Sequence, residues 1–214
     1  MASTGGPSST APTIEEVVHE HGPFVRRTLA QLGVPPRCVP DLAQEVFRGV
    51  HRGLPTFDPT LAPEEEGALR SWLFGICERQ AANHRRAEIR RGEVLVTIEE
   101  VDTARDAPTT EEELIAVERA ALLHRLLDTL EPRRRAVVVA YELEGIPITE
   151  VAAAVGIPVN TAWNRLRLAR EDLRLAASRL VLAQGRASAC SVQNATAAAL
   201  PSGESSGSST SRGA

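Results

Sequence analysis

Apolar side chains recur every three to four residues along most of the chain, which is the spacing of one face of an α-helix. In the segment that begins at Ala68, for example, Leu69, Trp72, Leu73 and Ile76 fall at positions i, i+3, i+4 and i+7. No segment shows the alternation of apolar and polar residues that is typical of a half-buried strand. The pattern therefore predicts an all-α protein.

Capping and helix-breaking residues set the predicted helix ends. Thr13 and Glu16 have the spacing of a capping box, in which each side chain accepts a hydrogen bond from the backbone of the other. Glycine and proline interrupt the pattern at intervals further along the chain. We predict helices over residues 14–32, 39–52, 68–91, 111–130, 132–143, 149–155 and 160–180.

The two ends of the chain differ in composition from the rest. Residues 1–12 and 182–214 are rich in small and polar side chains and poor in large apolar ones. Because ordering a backbone costs roughly 1–2 kcal/mol per residue, we predict that both ends are disordered. Two small helical domains remain, over residues 13–91 and 113–181, joined by a linker over residues 92–112.

Charge is distributed unevenly along the chain. The formal net charge is −4, yet the segment from Glu93 to Glu118 alone carries nine acids and one arginine. That segment has a net charge of −8, so the rest of the chain has a net charge of +4. We therefore interpret the molecule as two neutral-to-basic domains on an acidic tether, and not as an acidic protein.

The remaining composition excludes several classes of protein. The three cysteines are far apart with no C-x-x-C pair, so we predict neither a disulfide framework nor a zinc site. No run of apolar residues is long enough to span a membrane, and no phosphate loop or nucleophile elbow occurs. We expect a cytoplasmic protein that needs no cofactor, binds no membrane and is not an enzyme.

The strongest motif is a helix-turn-helix over residues 148–166. Ala152 is small where two helices would cross, and Gly156 can adopt the left-handed conformation that ends the first helix. The outward positions of the second helix carry hydrogen-bond donors and planar groups, which suit base edges and phosphates. An ordinary helical hairpin with a solvated polar face is the alternative interpretation.

Residues 14–91 and 114–180 resemble the extracytoplasmic-function class of bacterial RNA polymerase sigma factors, in the sigma-70 family. In the second segment, Leu130-Glu131-Pro132 and Thr161-Ala162-Trp163-Asn164-Arg165-Leu166 are similar to the Leu-Pro start and the Thr-Val-x-Ser-Arg-Leu end of the family pattern. The resemblance implies that this domain binds the minus-thirty-five promoter element. The residues that it implies as DNA contacts are Asn160, Thr161, Trp163, Asn164, Arg165 and Arg167.

A second match lies on the predicted helix over residues 39–52. Its sequence is similar to the family motif Asp-x-x-Gln-Glu-x-Phe, in which this helix docks on core RNA polymerase. Acids and an amide beside a phenyl ring can make charge-assisted hydrogen bonds and pack at the same time. The resemblance implies polymerase binding by Asp41, Gln44, Glu45 and Phe47.

The third match is the helix over residues 68–91, which resembles the family helix that engages the minus-ten element. The resemblance implies DNA binding by Trp72, Arg79, Asn83 and Arg86. From the residues alone, the arginines of this helix form a track for phosphates or, alternatively, a solvated basic face. They are Arg79, Arg85, Arg86, Arg90 and Arg91, and His84 is a possible sixth cation.

Six positions depart from the family pattern, and two of them, Gly75 and Glu78, replace residues that are often basic. Arg79 stands where the family usually has Asn, and Asn83 where it has Asp. Trp163 and Asn164 stand in place of Lys and Ser. The loop over residues 56–66 is also longer and more acidic than is typical of the family. These changes bear on which promoter the chain would read, and not on the fold.

The expected function is that of a sigma factor, whose partners are core polymerase and promoter DNA. An anti-sigma factor is an optional third partner. Two promoter elements about 17 base pairs apart are separated by roughly 60 Å, which an extended linker over residues 92–109 can also span. A one-component helix-turn-helix regulator that acts without polymerase is the alternative. Such a regulator would not form a stable complex with core polymerase.

Overall fold

A computed structural model describes residues 13–57, 65–92 and 111–198 of the chain. Over these ranges the chain is helical and has no strand, so the predicted all-α fold is confirmed. Short 3-10 turns precede and follow the second helix, and a π-helical turn over Val139–Leu143 continues the fifth. The helices are α1 (Ile14–Gln31), α2 (Val39–Gly53), α3 (Glu65–Arg91), α4 (Glu111–Asp128), α5 (Pro132–Val138), α6 (Ile148–Val155) and α7 (Val159–Ala198).

Two local signals in the sequence act as predicted. The Thr13 backbone N–H donates to Glu16 Oε2 at 2.8 Å, and the Glu16 N–H donates to Thr13 Oγ1 at 3.3 Å, which completes the capping box of α1. Gly156 ends α6 with φ of +71°, in the left-handed region that favours glycine. These two features fix where the first helix begins and how the helix-turn-helix bends.

The C-terminal helix is longer than predicted. Helix α7 runs to Ala198, whereas we predicted disorder from residue 182 onward, so that prediction is corrected over residues 182–198. The stretch is alanine-rich, and alanine has the highest helix propensity. The predictions for residues 1–12, for the loop at 58–64, for the acidic linker at 93–110 and for residues 199–214 concern parts of the chain outside the described ranges.

The N-terminal module consists of α1, α2 and α3, which pack on one another through apolar faces. Leu29, Val46, Val50, Leu73 and Phe74 are completely buried at its centre. Their helical spacing within each element is what places the polar residues between them on the outside. The module therefore presents the polar face of α2 and one polar stripe of α3 to solvent.

The C-terminal module contains α4, α5, α6 and the part of α7 up to Arg174; the described remainder of α7, from Leu175, belongs to a second compact unit. At the helix-turn-helix, the apolar side chains of Val151, Ala162 and Leu166 are completely buried. Val155 and Ile157 are only half-buried. The buried residues hold α6 against α7 and so set the direction in which the outward face of α7 points.

The two modules pack directly against each other in one continuous apolar core. Helix α3 lies on α6, and the approach is closest at Gly75, where an added Cβ would lie 2.9 Å from the backbone oxygen of Ala154. A glycine is needed there because any side chain would collide with the α6 backbone. Two modules that the sequence predicts as separate domains are thus in contact.

Replacing Gly75 with alanine is expected to lower the free energy of unfolding by about 1–3 kcal/mol, because the new methyl group overpacks the α3–α6 contact. Gly22→Ala is a matched control. An added Cβ at Gly22 meets only the Arg26 guanidinium, at 3.6 Å. That variant should be neutral or more stable by up to about 1 kcal/mol, because alanine is the better helix former. Urea denaturation of both variants measures the difference, and equal effects would contradict the packing argument.

Candidate nucleic-acid interface

One stripe of α3 carries all four residues that the sequence assigns to the minus-ten element. The N-terminal part of the stripe is covered by α2, since an added Cβ at Gly53 would lie 2.7 Å from the ring of Trp72. The Trp72 ring also packs on Phe57, with ring centroids 4.9 Å apart. Trp72 is therefore half-buried, and the exposed part of the stripe begins at Arg79.

The exposed part of the stripe brings Arg79, Asn83 and Arg86 onto one side of α3. Arg86 Nη2 donates to Asn83 Oδ1 at 2.6 Å, which orients the amide and leaves its NH2 group available to a partner. All three side chains are exposed hydrogen-bond donors. The geometry therefore suits contact with phosphates or base edges, with Trp72 two helical turns earlier against α2.

Arg85 and His84 do not belong to this exposed track, which corrects the broader set of cations considered from the sequence. Arg85 Nη1 donates to the Leu32 backbone oxygen at 3.0 Å and so caps the C-terminus of α1. Burial lowers the pKa of Arg85, against an opposing effect of Glu78. His84 lies inward, with its Nε2 atom 3.2 Å from Glu88 Oε1.

The outward face of α7 carries the residues assigned to the minus-thirty-five element. Asn160, Trp163, Asn164 and Arg167 are exposed, whereas Thr161 and Arg165 are half-buried. None of the six lies in the apolar interior. The structure therefore brings them together near the start of one helix, as direct readout in a major groove requires.

Neighbouring polar groups orient the Arg167 guanidinium. Its Nη1 atom donates to Glu171 Oε1 at 2.9 Å, and its Nη2 atom donates to Asn164 Oδ1 at 3.2 Å. Further along the same helix, Asp172 Oδ2 accepts a hydrogen bond from Arg134 of α5 at 2.6 Å. An arginine fork that is already oriented loses less conformational freedom when it binds a planar partner.

Tyr141 also belongs to this face, although no motif in the sequence indicates it. It lies in the π-helical turn after α5, and its ring meets the ring of Trp163 edge-on, with centroids 5.9 Å apart and planes at 62°. Arg170, from the next turns of α7, lies over the Tyr141 ring at 5.9 Å and is hydrogen-bonded to Glu142. No local sequence pattern predicts these contacts, because the π-helical turn is what brings the two elements together.

The predicted polymerase-docking residues lie on α2. Asp41 and Gln44 are exposed, and Glu45 is half-buried and paired with Arg48. Phe47 is half-buried and packs against the core at the border of this polar face. The first three residues share one side of the helix, so a partner could meet acids and an amide together.

An ionic cluster joins the two modules. The side chain of Glu144, at the end of the π-helical turn, is 1% exposed and accepts hydrogen bonds from Arg27 of α1 at 3.2 Å and 2.9 Å. Arg70 of α3 donates to the same carboxylate at 3.2 Å. The hydrogen bond to Glu144 is also the main cause of a raised pKa at Arg27. We call these three residues the Glu144 latch.

A second arginine links the modules at another point. Arg135 of α5 is buried, donates from Nε to the Gln31 backbone oxygen at 2.5 Å, and donates from Nη1 to Asp128 at 2.5 Å. Burial lowers the pKa of Arg135, and the carboxylate of Asp128 opposes that change. Because the last carbonyls of α1 lack helical partners, this contact satisfies one of them from the other module.

His124 of α4 is expected to make stability depend on pH. Burial, together with the charge of Arg135, lowers the pKa of His124, and Asp128 opposes this more weakly. The unfolded chain therefore takes up a proton near pH 6.5 that the folded chain resists. The free energy of unfolding should fall as the pH drops from about 7 through the folded pKa. Urea denaturation at several pH values should show a shallower slope for His124→Gln, and identical slopes would contradict the assignment.

The part of the chain that the structure describes has neither a metal-binding cluster nor a membrane-spanning helix. No group of three or more His, Cys, Asp and Glu side chains there could hold a metal ion. None of the helices there is long and apolar enough to cross a membrane.

Comparison with protein families assigns both modules. Residues 17–91 match the profile described as Sigma-70 region 2, and residues 120–173 match the profile described as Sigma-70, region 4. The two matches together cover more than half of the chain and coincide with the N-terminal and C-terminal modules. The chain belongs to the sigma-70 family.

The chain is also similar to individual curated members of that family. The chain is 28% identical over 171 residues to the ECF RNA polymerase sigma factor SigE of Mycolicibacterium smegmatis. The aligned residues cover 79% of this chain and 63% of that protein. The chain is also 28% identical over 147 residues to the ECF RNA polymerase sigma-E factor of Escherichia coli K12, covering 65% of this chain and 74% of the relative. Both relatives carry the name of the extracytoplasmic-function class, which the sequence motifs of this chain also resemble.

Solved structures share the fold of this sigma-70 family member. One is CnrH in complex with the cytosolic domain of CnrY, with a TM-score of 0.55, 22% identity, and coverage of 80% of this chain and 92% of that one. Another is the sigma factor RpoE in complex with the anti-sigma factor NepR from Bartonella quintana, with a TM-score of 0.59, 17% identity, and coverage of 77% and 96%. At these identities the likeness shows the fold.

Proposed function

We propose that the chain is a sigma factor that binds bacterial core RNA polymerase and directs initiation at specific promoters. The observation that carries the proposal is that one chain holds both sigma-70 regions, each with an exposed row of donors on one helix. Region 2 would bind the minus-ten element through Trp72, Arg79, Asn83 and Arg86. Region 4 would bind the minus-thirty-five element through Asn160, Thr161, Trp163, Asn164, Arg165 and Arg167.

The remaining partners follow from the same proposal. Core polymerase would meet the face of α2 that carries Asp41, Gln44, Glu45 and Phe47. The polymerase would carry out the chemistry, so the chain acts by binding and takes no cofactor. Both structural neighbours have binding proteins in their complexes, one of them an anti-sigma factor. An anti-sigma factor is therefore a further proposed partner, and the cytoplasm is the proposed location.

The compact arrangement must open for this function. Asn83 lies about 12 Å from Gly75 along the axis of α3. The backbone between Ala154 and Trp163 can span at most about 25 Å. Because Gly75 touches Ala154, the backbones of Asn83 and Trp163 are no more than about 45 Å apart. Promoter elements about 17 base pairs apart are separated by roughly 60 Å. We infer that the modules separate when polymerase and promoter bind.

Reconstitution tests the proposal directly. Full-length protein mixed with bacterial core polymerase should co-elute as a stable complex and start transcripts at defined positions on genomic DNA fragments. The rival, a one-component regulator, would bind DNA without core polymerase and would neither co-elute with it nor produce starts. Absence of co-elution at micromolar concentrations would reject the sigma-factor proposal.

A further inference from the structure

An aromatic pair, exposed Trp163 and half-buried Tyr141, lies on the outward face of α7, which we call the reading face. Trp163 is 45% exposed although it is one of the largest apolar side chains, and it lies among Asn160, Asn164 and Arg167. A free tryptophan in this position would sample several rotamers. Tyr141 restricts it, because the two rings meet edge to face at 5.9 Å, a geometry that stabilises aromatic pairs.

Tyr141 is itself held in place from two sides. Its backbone belongs to the π-helical turn, directly after Val139 and Ala140, which are completely buried. Arg170 covers the ring at 5.9 Å, and Arg170 Nε donates to Glu142 Oε1 at 2.8 Å. A buried backbone and a tethered guanidinium therefore fix the tyrosine, and the tyrosine in turn fixes the orientation of Trp163.

The chemistry of duplex DNA limits what a fixed indole can read there. In the major groove the bases are stacked, so a side chain meets their edges and not their faces. Among those edges, the C5 methyl group of thymine is the distinctive apolar feature. A cation at the same position would bind phosphates or guanine, whereas an indole cannot form an ion pair with a phosphate.

We propose that Trp163 contacts the C5 methyl group of one thymine in the upstream promoter element, and that Tyr141 is the positioning residue that holds the indole for this contact. The inference rests on the proposed sigma-factor function and adds one base preference to it. Burial of one methyl group contributes roughly fourfold to binding. A thymine should therefore be preferred about fourfold over uracil at that position.

The test uses holoenzyme reconstituted from full-length protein and core polymerase. Promoters are first enriched from a library with a randomised upstream element. Each thymine of the most enriched element is then replaced by deoxyuracil, which lacks only the methyl group. Transcription should fall about fourfold at one thymine and remain unchanged at thymines outside the element. Trp163→Ala should lower transcription from the thymine promoter and abolish the difference between thymine and uracil.

Variants of Tyr141 separate positioning from folding. Tyr141→Phe keeps the ring and should keep the sensitivity to uracil, whereas Tyr141→Ala should reduce it while the holoenzyme still forms. The salt dependence of DNA binding should be unchanged in Trp163→Ala, because no phosphate contact is lost.

Three results would overturn the inference while the proposed function stands. They are an enriched element without thymine, uracil that is tolerated at every position by the unaltered holoenzyme, and undiminished sensitivity to uracil in Trp163→Ala. The last result would indicate that Trp163 serves a protein interface instead. Failure to bind core polymerase or to start transcripts is a separate outcome, and it would reject the proposed function and this inference together.

Discussion

Replacing Arg165 and Arg167 together with alanine is expected to reduce promoter-directed transcription at least about 30-fold. Each arginine that binds a base edge contributes about 1–3 kcal/mol, so the loss of two removes 2 kcal/mol or more. Arg167 is already oriented by Glu171 and Asn164, which supports a specific contact over a diffuse electrostatic one. Run-off transcription from an enriched promoter measures the loss.

The same double variant should still bind core polymerase as tightly as the unaltered chain, because the proposed docking face lies on α2. Arg119→Ala is a matched control, since Arg119 is an exposed arginine of α4 outside the reading face. It should leave both transcription and promoter choice unchanged. Equal transcription by the double variant and the control would show that the outward face of α7 does not read the promoter.

Features set by neighbours in the sequence could be predicted before the structure. The start of α1 follows from Thr13 and Glu16, three residues apart, and the bend of the helix-turn-helix follows from the left-handed conformation at Gly156. Both depend on backbone chemistry within a single turn. The family motifs carry the same kind of local information, which is why they indicated both sigma-70 regions.

Contacts between distant residues could not be predicted in the same way. Arg85 has the spacing of a phosphate-binding cation on α3, yet its partner is the Leu32 carbonyl, 53 residues earlier in the chain. Arg135 likewise binds Gln31 across 104 residues. A helical periodicity shows which side of a helix a residue occupies, but only the packing of α1 against α3 and α5 decides whether that side meets solvent or a carbonyl.

The length of α7 shows a different limit. Composition indicated disorder from residue 182, because the stretch has few large apolar side chains to bury. Alanine, however, favours a helix without any burial, and the stretch continues a helix that is already nucleated by the helix-turn-helix core. Extending a helix costs much less than starting one, so composition alone misplaced its end.

Replacing Glu144 with alanine is expected to lower the free energy of unfolding by about 1–3 kcal/mol and to loosen the contact between the modules. Removal of one partner from a buried ion pair typically costs 3–5 kcal/mol. The cost should be smaller here because the side chains of Arg27 and Arg70 remain 52% and 35% exposed and can be solvated. Urea denaturation measures the stability. Energy transfer between one dye on each module measures the separation.

Glu142→Ala provides a matched control for the Glu144 latch. Glu142 lies in the same π-helical turn and also pairs with an arginine, but its partner Arg170 belongs to the same module and both side chains are exposed. Its removal should change the free energy of unfolding by less than about 1 kcal/mol and leave the separation of the modules unchanged. A similar loss of stability in both variants would mean that the latch contributes no more than a surface ion pair.

Loosening the latch should also strengthen binding to core polymerase if the modules must separate to bind. The apparent affinity for a partner is lower when most of the protein is in the closed arrangement. Destabilising the closed arrangement by about 1–3 kcal/mol can therefore raise the apparent affinity by at most about 5- to 150-fold. Titration of core polymerase with Glu144→Ala and Glu142→Ala distinguishes the two roles of the carboxylate. If Glu144→Ala is less stable yet binds polymerase no more tightly than the control, the latch stabilises the fold without opposing the open state.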